Sequence, residues 1–171
     1  MASGYITIRG GLYPLPLAAL LAGLSALPVF ATEKHALGFD VAISLSSKAE
    51  AALKSTHEGI SLSATYYGEP HPGDEKHTNA MGMVDLGAED INLPDGARTV
   101  HVTGKTVSAD RLRLISGGPM VNVNLFSSRK SHDDNILACD FIDGAVSSLR
   151  SGPVYLRCGL ITENPETEVK P

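Results

Sequence analysis

From residue 38 onward, apolar and polar side chains alternate with a period of two. Phe39, Val41, Ile43 and Leu45 fall on one side and Asp40 and Ser44 on the other, which predicts a half-buried strand over 38–45. Ser47-Lys48-Ala49-Glu50 then has the S-x-x-E form of a capping box, and Ala51, Ala52 and Leu53 are good helix formers that Gly59 can end. A helix so short needs a sheet to pack on. Ile60, Leu62, Ala64 and Tyr66 alternate with Ser61, Ser63, Thr65 and Tyr67 in a second strand, which Gly68-Glu69-Pro70 is expected to stop.

Later elements carry the same period. A polar loop over 71–78 precedes a brief strand over 81–86, and Asn92-Leu93-Pro94-Asp95-Gly96 signals a turn before Thr99, Val100, Val102 and Thr103. Alternating charged and apolar side chains over 111–115 suggest an edge strand, where Arg discourages pairing between molecules. Val121, Val123 and Leu125 share one face of a strand over 120–126, with Asn122 and Asn124 turned to water. The segment 136–142 is apolar on both faces apart from Asp140, and 154–161 is similar apart from Arg157, which predicts central strands. Seven or eight short strands, one brief helix and no long crossovers describe an all-β fold, an antiparallel two-sheet β-sandwich. The absence of Trp argues against a true immunoglobulin domain.

Residues 1–31 break the pattern. Arg9 is their only charged side chain, an apolar run extends over 15–27, and Val29-Phe30-Ala31 presents the small residues of a cleavage site. This is the form of a removable signal peptide. Six Gly and Pro residues between 10 and 28 make it a poor membrane anchor. Periplasmic or secreted localisation is therefore expected, with a sandwich domain over 32–161, a flexible tail over 162–171 and no stable membrane insertion after cleavage.

Export changes what composition means. Of 14 basic and 19 acidic side chains in the 171-residue chain, only Arg9 lies in the leader, so the mature protein is the more acidic. That sign disfavours nucleic acid as a partner. Two cysteines in an oxidising compartment read as one disulfide, Cys139–Cys158, linking either neighbouring strands or the two sheets.

Catalytic patterns are lacking: there is no G-x-S-x-G elbow, phosphate loop or Cys/His pair, and Ser127-Ser128-Arg129-Lys130 matches S-x-x-K without its companions. No catalytic residue is assigned, and no cofactor is expected. The expected activity is non-enzymatic binding of an envelope or extracellular protein or glycan through loops. The second polar loop supplies Arg129, Lys130, His132, Asp133 and Asp134; of Tyr66 and Tyr67 one should be core and the other exposed, and Tyr67 is the aromatic anchor if it is exposed beside the loop from Glu69 to His77. The alternative is a periplasmic zinc or copper site made by His71, Asp74, Glu75 and His77, with His57, His101 or His132 as further ligands. Calcium on Asp133, Asp134, Asp140 and Asp143 ranks below it, because the twelve-residue calcium loop is absent.

Overall fold

The computed structural model describes residues 37–93 and 98–171 together with Met1 and Gly4. The expected signal peptide, and Pro94 to Gly96 of the expected turn, lie outside the described residues. Two sheets form a β-sandwich. One has four strands in the order β4-β1-β8-β6, and the other has five in the order β3-β2-β5-β7-β9. The strands are β1 (Phe39–Leu45), β2 (Ile60–Pro70), β3 (Val84–Leu93), β4 (Thr99–Val102), β5 (Ile115–Ser127), β6 (Leu137–Cys139), β7 (Phe141–Ala145), β8 (Val154–Leu160) and β9 (Val169–Lys170). Most neighbours are antiparallel, but β1 runs parallel to β8 and β7 parallel to β9, so both sheets are mixed rather than purely antiparallel.

Period two fixes the core. Phe39, Val41 and Ile43 of β1, Leu62, Ala64 and Tyr66 of β2, and Val121, Val123 and Leu125 of β5 all point inward and are buried together. Helix α1 (Ser47–Thr56) adds Ala49 and Leu53 to that core. Its cap is Ser46, one residue before the expected box: the Ser46 hydroxyl accepts the Ala49 N–H at 3.0 Å, and Glu50 pairs with Arg98 at 2.8 Å instead of reaching back. The helix ends at His57, whose φ of 53° allows its N–H to bond Leu53 and Lys54 carbonyls, two residues before Gly59.

Four further expectations change. Strand β2 continues through Gly68 because this glycine serves close packing: a Cβ there would lie 2.8 Å from Ile115. Over 111–115 the chain forms helix α2 (Ala109–Leu112), capped by the Ser108 hydroxyl, before Ile115 opens β5. Five residues of alternation were too few to distinguish strand from turn. The expected continuous strand over 136–142 is broken at Asp140, where the chain leaves the four-stranded sheet as β6 and enters the five-stranded sheet as β7. The tail does not run free: it turns at Ile161–Glu163 and ends as β9, paired with Phe141 and Ile142.

Buried carboxylates hold these departures. Asp140 is 1% exposed and accepts the N–H groups of Arg157 and Glu168 at 3.0 and 2.9 Å and the Arg157 guanidinium at 3.2 Å. Burial pushes its pKa up, but these donors outweigh burial and hold it below the ordinary value. Glu89 accepts Thr103 and Gly104 N–H groups at 3.1 and 3.0 Å, tying β3 to the turn after β4. The disulfide joins Cys139 and Cys158, directly opposed on β6 and β8 with Cα atoms 4.0 Å apart. It links neighbouring strands.

Candidate functional site

Tyr66 and Tyr67 point to opposite faces of β2. Tyr66 is fully buried and donates to the Leu37 carbonyl at 3.4 Å, whereas Tyr67 lies on the outer face, half-buried. A row of outward side chains runs beside it: Asp85 of β3 stands opposite Tyr67, while Thr65 of β2, Asn122 of β5 and Asp143 of β7 follow one another across the sheet. The Tyr67 hydroxyl donates to the Asp143 carboxylate across the intervening strand. Partial burial, then this bond and the negative charge of Asp143, push the Tyr67 pKa up to about 12.

The loop before β3 builds a wall over this row. Asn79 closes it into a turn: its side-chain oxygen accepts Met81 and Met83 N–H groups at 2.9 and 3.2 Å, its own N–H donates to Met83 at 2.8 Å, and its Nδ2 donates to Asp85 at 2.7 Å. Sheet and turn enclose a groove of about 400 Å³ lined by Thr65, Tyr67, Asn79, Met81, Met83, Asp85, Asn122 and Asp143. Met81 is 83% exposed, so packing does not account for its place at the tip. The groove combines an aromatic ring and two thioethers with two carboxylates, two amides and a hydroxyl.

No family model, curated protein or solved structure matches the chain. The chemistry of the site has to be read from its own residues.

The remaining candidates are placed as follows. Tyr67 pairs with Met120, whereas the loop carrying Arg129 to Asp134 leaves the opposite end of β5, beyond Ser127 and Ile60. Seven residues of strand separate the two regions by about 20 Å. The structure does not bring Tyr67 together with that loop. Glu58 anchors the loop from below: fully buried, it accepts Lys130 and Ser131 N–H groups, each at 2.9 Å, and the Ser131 hydroxyl at 2.8 Å. Arg129 lies over the Phe126 ring at 6.0 Å, and half-buried His132 sits 3.9 Å from Glu58, while Asp133 and Asp134 are exposed.

His71, Asp74, Glu75 and His77 lie on the loop after β2, at the Tyr67 end of the sheet. The Glu75 carboxylate turns back to accept the Gly73 N–H at 3.0 Å, and that bond lowers its pKa. Of the further histidines, His57 forms the end of α1 and His101 bonds Asp40 at 2.8 Å. Among the described residues no three His, Cys, Asp or Glu side chains are gathered as a metal-ligand set. The calcium candidates are separated as well, with Asp140 buried beneath the tail and Asp143 committed to Tyr67.

A larger cleft of about 530 Å³ lies between β8, the end of β1 and the tail, and its lining includes Ser46, Arg157, Glu163 and Glu168. Four of its polar side chains are bonded in pairs: Glu163 accepts from Ser46 at 2.5 Å, and also from Leu160 N–H at 2.8 Å, and Glu168 accepts from Arg157 at 2.8 Å. It is the seam by which the tail packs. Sequence reasoning identified Tyr67 but missed Asn79, Met81, Met83, Asp85 and Asn122 as its companions. Their one visible signal was the outward parity of Asp85 and Asn122.

Proposed function

We propose that the protein is an exported, non-enzymatic binding module whose recognition site is the groove around Tyr67. The observation that carries this reading is the closed Asn79 turn, which holds Met81 and Met83 over Tyr67 and a row of polar groups. Rigid positioning of an aromatic anchor among polar side chains lowers the ordering cost of binding. The leader pattern over residues 1–31 supports export, and the disulfide is compatible with an oxidising compartment. Among the described residues, no helix is long and apolar enough to cross a membrane.

The test is affinity capture from envelope and extracellular extracts on the immobilised, disulfide-bonded protein, compared with Tyr67→Ser and with an Arg129→Ser/Lys130→Ser variant. The reading expects a species retained by the unmodified protein and by the loop variant but lost with Tyr67→Ser. Retention that depends on Arg129 and Lys130 and ignores Tyr67 would move the site to the opposite end of the sheet.

A further inference from the structure

We propose that the outer face of the five-stranded sheet docks an extended basic segment of a protein partner, with one Lys or Arg side chain seated in the groove at Asp85. This rests on the binding reading above and names its ligand class. The argument is charge complementarity over the whole face. Strands β2, β3, β5 and β7 contain no Lys or Arg, and Lys170 of β9 stands beside the inward Ile142 and pairs with Glu168, whereas Asp85, Asp90 and Asp143 are all exposed on the face that carries Tyr67. Their register is explicit: Asp85 lies opposite Tyr67, Asp90 opposite Ser63, and Asp143 opposite Asn122. Two neighbouring cations are engaged at the margins. The Arg111 guanidinium donates to the backbone carbonyls of Asp85 and His77, and Arg129 lies over Phe126 at the other end of β5.

The groove fits such a side chain chemically. A carboxylate accepts several hydrogen bonds, and Tyr67 and Asn79 take one oxygen each of Asp143 and Asp85. Tyr67, Met81 and Met83 supply the polarizable wall against which the methylene stem of Lys or Arg packs while its charged end reaches the Asp85 carboxylate. A groove of about 400 Å³ holds one such side chain. Asp90 lies outside it, five residues along β3 and about 15 Å from Asp85. A single small amine cannot meet both positions, but an extended peptide with basic residues spaced along it can.

The experiment is NMR titration of the isotope-labelled, disulfide-bonded protein with a ten-residue Lys-Ser repeat peptide, a Gln-Ser repeat of equal length, and an N-acetylglucosamine oligomer. The Lys-Ser peptide should shift the side-chain amide signals of Asn79 and Asn122, with an affinity that falls about tenfold in high salt. Asp85→Asn and Asp90→Asn should each weaken it about three- to tenfold with the melting temperature unchanged, whereas Asp133→Asn should not. Equal binding of the Gln-Ser peptide, or indifference to salt and to both substitutions, overturns the charge assignment. Shifts at Asn79 and Asn122 caused by the oligosaccharide alone overturn it too, but preserve the groove as a binding site. Silence of those amides toward all three probes, together with capture that ignores Tyr67, overturns both.

Discussion

Glu58 and Ser131 lie 73 residues apart, yet the buried Glu58 carboxylate accepts both the N–H and the hydroxyl of Ser131, at 2.9 and 2.8 Å. Burial alone would push the Glu58 pKa up. The donors from Ser131, Lys130 and Gly59 outweigh it and lower the value from 4.5 to about 2. A group with a depressed folded pKa contributes stability above its unfolded value and loses it as pH falls through the folded one. Glu58→Gln should therefore destabilise the protein by about 2–4 kcal/mol at neutral pH and flatten the loss of stability between pH 4.5 and about 2. Urea melts of both proteins across that range check it.

The C-terminal segment is expected to act as part of the fold. Removing residues 167–171 takes from Asp140 the Glu168 N–H, the nearby Lys170 ammonium and the covering strand β9, while the Arg157 donors remain. Truncation should cost about 1–3 kcal/mol, because a buried carboxylate loses part of its compensation. Asp140→Asn should cost a similar amount, since it lacks the charge that the Arg157 guanidinium meets. Thermal melts measure both, and limited proteolysis should leave the tail uncut in the intact protein.

Asp143→Asn should lower the Tyr67 pKa from about 12 toward its ordinary value of 10.0 without restoring it fully, because partial burial remains. The check is ring-carbon NMR of assigned Tyr67 during alkaline titration. In the unmodified protein the raised value favours the protonated phenol, so its contribution to stability is present below pH 10.0 and lost as pH rises through about 12. Asp143→Asn should shift that loss to lower pH.

What the sequence disclosed and what it hid follow from the range of the interactions. Alternation in β1, β2 and β5 is local, and it correctly placed Val41, Leu62 and Val123 in the core. The sheet change at Asp140 depends on donors from Arg157 and Glu168, 17 and 28 residues away, which periodicity does not encode. The parallel pairing of β1 with β8 is long-range for the same reason. At the candidate site, Tyr67 stood out as half of an aromatic doublet. Its partner Asp143 is 76 residues distant, and Met81 and Met83 became neighbours of Tyr67 only through the turn closed by Asn79.

The disulfide offers the last prediction. Cys139 and Cys158 are separated by 19 residues, and in the chain-entropy model closing such a loop stabilises the fold by about 3 kcal/mol. The two cysteines stand opposite on antiparallel β6 and β8, with Leu137 paired to Leu160 beside them, so backbone pairing and apolar burial persist without the bond. The Cys139→Ser/Cys158→Ser variant should therefore retain the same far-ultraviolet circular dichroism while its urea midpoint falls by an amount equivalent to about 2–4 kcal/mol. Reductant should lower the midpoint of the unmodified protein and leave that of the variant unchanged. Loss of the β signal in the variant would show that the bond is needed to form this part of the sheet.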